Sequence, residues 1–285
     1  MPTVTQAVEA LVRATVDMPD AEMDRPWVWR EYDEEGLRFA LLMAQHELRD
    51  LAVRLAAMRP APPSQAQRIL GQYHHAYRDL TGALAGVRDQ DLDRLPREGE
   101  WPLREVIAHM LGAEYGFLGV VQYALAPDRP QDPDKADELW GPWREEHGYR
   151  APKTLEGGVA AVRNAMFEIH RRVLRELDGL SDEILERDAT FWDGDKPIRF
   201  RMHRFEAHMI QHTIQVDKTL EWIGRAPTEA RRLVRVLYRD LAAVEMLSAN
   251  PFGQTARDEV AKTIGDRADE LAGISAPSRG PSPPR

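Results

Sequence analysis

Apolar residues that recur by threes and fours over twenty or more positions set the fold class before any other feature. Leu37, Leu41, Ala44, Leu48, Leu51, Leu55 and Met58 form one such stripe; Leu155, Val159, Val162, Met166, Ile169, Val173 and Leu177 form another. That spacing gathers apolar side chains on one face of a helix, and strand-like alternation is almost absent. A stripe of this kind must be covered by partner helices, and short polar links favour antiparallel neighbours, so the expectation is an all-α chain. Helices are expected at residues 3–17, 34–59, 64–87, 102–126, 154–179, 201–224, 228–249 and 253–273. Breakers and caps agree with these limits. Pro60, Pro62 and Pro63 end one helix, Gly224 and Pro227 end another, and Ser64, Thr154 and Thr228 are candidate N-caps.

A weak internal repeat runs through this pattern. Ala21–Arg25, Gln90–Arg94 and Asp182–Arg187 each follow a helix and precede a tryptophan (Trp27 or Trp29, Trp101, Trp192) and then another long helix; Tyr-Arg-Asp-Leu occurs at 77–80 and again at 238–241. The reading is one helical-hairpin grammar used three times. Between helices, residues 127–153 carry five prolines with Trp140 and Trp143, and are expected to form a long loop packed as a lid. Residues 188–200 contain Asp193-Gly194 and suggest a short hairpin. The expected division is a hairpin at 1–60 packed on a bundle at 64–224, C-terminal helices at 225–274, and a disordered Pro- and Ser-rich tail at 275–285.

Composition narrows the function. With 43% hydrophobic residues a sizeable core is available, and no run of 18 apolar residues exists to span a membrane. The N-terminus lacks a signal-peptide layout, so a cytoplasmic location is expected. No cysteine is present, so any metal must be held by nitrogen and oxygen. A net charge of −9 without a basic run argues against a nucleic-acid partner.

The candidate chemistry lies in histidines. His208 and His212, four residues apart, sit about 40° apart on one helix face and can close on a single ion, because neutral imidazole ligates zinc, nickel, iron or copper. In the wheel, His212 falls inside the arc of Met202, Phe205, Met209, Val216 and Leu220, His208 lies at its edge, and His203 points away. His109 is the candidate third ligand, on the shoulder of its helix with Gly112, Ala113 and Gly116 beside it, small residues that either leave room for an ion and a substrate or allow close helix–helix contact. Candidates to orient the imidazoles are Glu105, Glu114 and Gln215. His46 is expected in solvent, His74 and His75 at a core edge, and His147 and His170 without spaced partners.

Trp101-x-x-x-Glu105-x-x-x-His109, followed by His208-x-x-x-His212-x-x-Gln215, resembles the DinB-like superfamily of four-helix metalloproteins over roughly residues 64–224. The resemblance implies an up-down-down-up four-helix bundle, here with an extra N-terminal hairpin and C-terminal helices. It implies one divalent ion, zinc or nickel, on His109, His208 and His212, and a relation to bacillithiol- and mycothiol-dependent transferases and isomerases. The expected function is therefore thiol S-transfer, isomerisation or hydrolysis of a small molecule, with an external low-molecular-weight thiol as possible cofactor and a homodimer as possible assembly. The same residues allow an alternative, a helical binding or scaffold protein with a structural or vestigial metal site.

Overall fold

Each long stripe becomes a helix, and some of the helix starts are capped by a side chain of their own while others are not. The computed structural model describes residues 2–29, 31–32, 35–127, 136–247 and 253–275. In chain order the helices are α1 (Val4–Thr15), α2 (Asp20–Met23), α3 (Arg38–Ala57), α4 (Gln65–Ala83), α5 (Leu103–Leu125), α6 (Ala136–Glu146), α7 (Val159–Leu177), α8 (Asp182–Leu185), α9 (Ile198–Trp222), α10 (Glu229–Leu247) and α11 (Gln254–Ser275). Ser64 caps α4 with a full capping box: its hydroxyl accepts from Gln67 N–H while the Gln67 side chain accepts from Ser64 N–H. Thr228 accepts from Arg231 N–H at the start of α10. Gly224, at φ 74°, ends α9 in the left-handed conformation that glycine adopts without a steric penalty.

Two expectations are corrected. Thr154 does not cap α7, which begins at Val159. The Val159 N–H donates instead to the Asp89 carboxylate at 2.8 Å, and a Cβ on Gly158 would come within 2.5 Å of that carboxylate. The start of α7 is thus set by a residue seventy positions away, which no local signal announces. The stretch read as a loop at 127–153 carries α6, with Pro142 inside it. Its Trp140 and Trp143 rings lie 5.6 and 5.1 Å from Tyr123 on α5, and this aromatic packing holds a helix that local propensity disfavours. Residues 128–135 of that stretch, and the tail from 276 onward, lie outside the described residues.

The chain divides into two compact units, residues 61–226 and residues 1–60 with 227–285. In the first, α4 and α5 each pack on both α7 and α9. Helices joined directly in the chain pack chiefly on the other pair rather than on each other, contrary to the neighbour rule for short links. The links are not short: residues 84–102 contain a single 3₁₀ turn (Asp89–Asp91), and residues 178–197 contain α8 and a hairpin. In that hairpin β1 (Asp188–Phe191) pairs antiparallel with β2 (Gly194–Pro197), Phe191 opposite Gly194, as the Asp-Gly signal suggests. Buried Arg201 ties it to α9, donating to Ala189 O at 3.0 Å and also to Asp193 and Gly194 O.

The second unit is wired the same way. There α1 packs on α11 and α10, and α3 packs on α10 and α11. The two ends of the chain therefore share one unit, a grouping that the linear division into an N-terminal hairpin and C-terminal helices does not contain. The repeat is visible too: Ala21–Arg25, Gln90–Arg94 and Asp182–Arg187 overlap or adjoin a short helical turn between two long helices.

Candidate metal centre

The site forms where the first turns of α5 meet the middle of α9. Helix α5 starts after Pro102, which takes the N-cap position with an extended ψ of 159°, one residue earlier than the first helical position expected for it. Val106, Ile107 and Met110 fill the core, and this phase places His109 at the edge of the buried face, exposed to solvent. On α9, Met202, Phe205, Met209 and Val216 are fully buried, and the same phase turns His208 (9% exposed) and His212 (7% exposed) inward.

The three imidazoles converge. His109 Nε2 and His208 Nε2 lie 3.2 Å apart, close to the separation of about 3.3 Å between two nitrogens bound to a tetrahedral zinc. One ligand atom from each of His109, His208 and His212 lies within 4.8 Å of the others. Ring centroids are 5.1, 4.6 and 4.2 Å apart for the pairs 109–208, 109–212 and 208–212.

Electrostatics favours the ligating form. Burial, then the neighbouring His212 and His109 and the Arg204 guanidinium, push His208 down to about 3, and burial with His212 lowers His109 as well. Neutral imidazoles carry the lone pairs that a metal needs. Gln215 fixes one of them: its side-chain oxygen accepts from His212 Nδ1 at 2.7 Å, leaving the Nε2 lone pair for an ion. His208 Nδ1 is buried without a partner. Trp101, 5.3 Å from His109, and Phe117, edge-on to His208 at 5.3 Å, wall the centre. The donor set is chemically suited to a borderline metal such as zinc or nickel.

The other two orienting candidates lie elsewhere. Glu105 is exposed one turn before His109, with no hydrogen bond to any of the three rings. Glu114 is fully buried and accepts from Tyr73 O–H; its other oxygen has no partner, and burial raises it to about 8, so it is largely neutral at pH 7. Sequence reasoning missed a second buried polar cluster. His170, expected to stand without a partner, is 1% exposed, with Nε2 2.8 Å from His74 Nδ1 and its ring stacked on Tyr77 at 3.9 Å. These partners come from α4 to α7, a helix pairing that sequence spacing does not reveal. His74 joins this cluster rather than the three-histidine centre, while His46 and His75 are exposed.

A family model described as the DinB superfamily matches residues 72–216, a stretch that carries all three histidines. Comparison with curated proteins finds no match, and comparison with solved structures finds none either. Among the described residues no helix is long and apolar enough to cross a membrane. The matched stretch is more than half of the chain, its four long helices form one unit, and its three histidines converge: the chain belongs to the DinB superfamily.

Proposed function

We propose that His109, His208 and His212 hold one divalent metal ion, zinc or nickel, and that the protein is a metal-dependent enzyme acting on a small molecule by thiol transfer, isomerisation or hydrolysis. The approach of His109 Nε2 to His208 Nε2 at 3.2 Å, across two helices and ninety-nine residues, carries this reading. When bound, the ion supplies a Lewis acid with open positions for a substrate oxygen or for the sulfur of an external thiol.

The chain's own residues supply the rest. Gln215 holds His212 in the tautomer that presents Nε2. Phe117 and the buried faces of α9 keep water from one side of the site, and the exposed edge at His109 leaves an approach from solvent. The absence of cysteine means that a thiol nucleophile must come from outside the chain.

Metal analysis of protein purified without a histidine tag tests the reading. The expected result is about one zinc or nickel per chain, lost in His208→Ala, and turnover of electrophilic small molecules with added thiols only in the metal-loaded form. Metal content unchanged by His208→Ala would defeat it.

A further inference from the structure

Arg204 is the arginine that shares an aromatic wall with the three-histidine centre, and among the described residues it has no anionic partner there. It lies one turn before His208 on α9, half-buried, with its guanidinium carbon 5.5 Å from the centre of the Phe117 ring. That same ring stands 5.3 Å from His208, so Arg204 and the three-histidine centre flank one phenyl group. Among the described residues no carboxylate or carbonyl pairs with it. Its neighbours are paired: Arg201 with Asp193, Arg199 with Glu186, and Arg104 with Asp93. Arg201 already secures the hairpin, so the fold has no evident need of a second cation there.

The charge balance points the same way. Three neutral imidazoles around a divalent ion leave two positive charges, and Arg204 adds a third. The two acids on α5 closest in sequence to His109 do not offset them. Glu114 is tied to Tyr73 inside the core, and Glu105 forms no bond to the rings. Two positions on α5 beyond His109 also leave space: a Cβ on Gly112 would meet nothing within 4 Å, and one on Gly116 would meet only the Arg144 guanidinium, at 4.0 Å. Arg144 has a buried Nε without a partner of its own.

We propose that Arg204 is a substrate-recognition residue, and that the centre takes a small molecule carrying a carboxylate or phosphate in addition to the atom that reaches the metal. This rests on the metal reading above. A guanidinium presents a planar fork to such oxyanions, and the partial burial beside Phe117 strengthens the pairing over what water would allow. The bland account is that Phe117 alone is the partner of Arg204, through a cation–π contact.

The test uses the full chain loaded with cobalt(II), whose visible spectrum reports both loading and ligand entry. Oxalate, malonate, succinate, glutarate and 2-phosphoglycolate are titrated into the wild type, Arg204→Met and Arg204→Lys, with the diamides of the four diacids as neutral controls and imidazole as an uncharged ligand that needs only the metal. The expected result is that at least one diacid or phosphoglycolate binds tenfold or more tighter than the diamides. Arg204→Met should lose that tenfold, Arg204→Lys should recover part of it, and cobalt content and imidazole affinity should not change. A loss confined to the diacids assigns a carboxylate and one confined to phosphoglycolate assigns a phosphate. Equal affinities in the wild type and Arg204→Met overturn the proposal, as does a parallel fall in imidazole binding, which would mean damage to the centre itself. A wild-type chain that takes up no cobalt refutes the metal reading and this proposal with it.

Discussion

Glu114 shows how burial turns one side chain into a pH-dependent term in stability. With a folded value of about 8 against an ordinary carboxyl near 4.5, the folded protein keeps a proton that the unfolded chain releases. Stability from this group therefore falls as pH rises from about 4.5 to about 8 and is flat beyond. Glu114→Gln keeps a partner for Tyr73 and removes the ionisation. Urea denaturation should find the variant more stable than wild type at pH 9 by on the order of a few kcal/mol, with the gap closing at pH 5; an equal gap at both would show that Glu114 ionises freely. His170 gives the opposite limb. Burial beside His74 and Arg78 pushes it well below its ordinary value, so its contribution is present above about pH 6.5 and is lost as pH falls. At the candidate centre, Gln215→Leu should weaken metal binding about 10- to 100-fold, measured by chelator competition, because His212 loses the acceptor that fixes its tautomer. The motif spacing made His109, His208, His212 and Gln215 visible in sequence. The pairing of His170 with His74 was not visible, because its two members lie 96 residues apart on different helices.

Helix boundaries divide into those fixed by their own residues and those fixed from elsewhere. The capping box at Ser64 is local, and Ser64→Ala should cost about 1 kcal/mol. The cap of α7 is not local: Asp89→Ala should cost about the same although Asp89 is in another link, and thermal melts of the two variants would check both values. Helix α6 belongs to the second kind as well. It is seated because Gly119 has no side chain; a Cβ there would lie 2.9 Å from the Trp140 ring and 3.0 Å from Tyr149 Cβ. Gly119→Val should displace Trp140 and Trp143, seen as a red shift of tryptophan fluorescence, and destabilise by about 1–3 kcal/mol. An unchanged emission spectrum would contradict this packing. Pro142 and the cluster of prolines hid α6 in the sequence, since propensity counts only neighbours along the chain.

The two units share a wiring in which hairpins cross rather than fold back on themselves, yet they differ in what their polar residues do. In the unit of residues 1–60 and 227–285, buried Arg267 pairs with Glu47 at 2.7 Å and faces Trp29 at 5.0 Å. Glu47→Gln should strand that guanidinium and cost about 3–5 kcal/mol without altering metal content, by urea denaturation and metal analysis. Residues 61–226 contain all three histidines together with Gln215, Phe117 and Trp101. Expressed alone, they should still bind one metal ion per chain; a folded fragment that binds none would place a necessary support in the other unit. The sequence by itself determined the all-α class, the position of the long helices and the histidine set, because helical period, caps and i, i+4 spacing act over a few residues. The tertiary structure alone decided that hairpins interleave, that Asp89 starts α7, that Glu114 turns to Tyr73 and that Arg204 lies against Phe117 beside the three histidines. Each of those depends on which helix faces which, and that is settled by packing across the core, where neighbours in space are strangers in sequence.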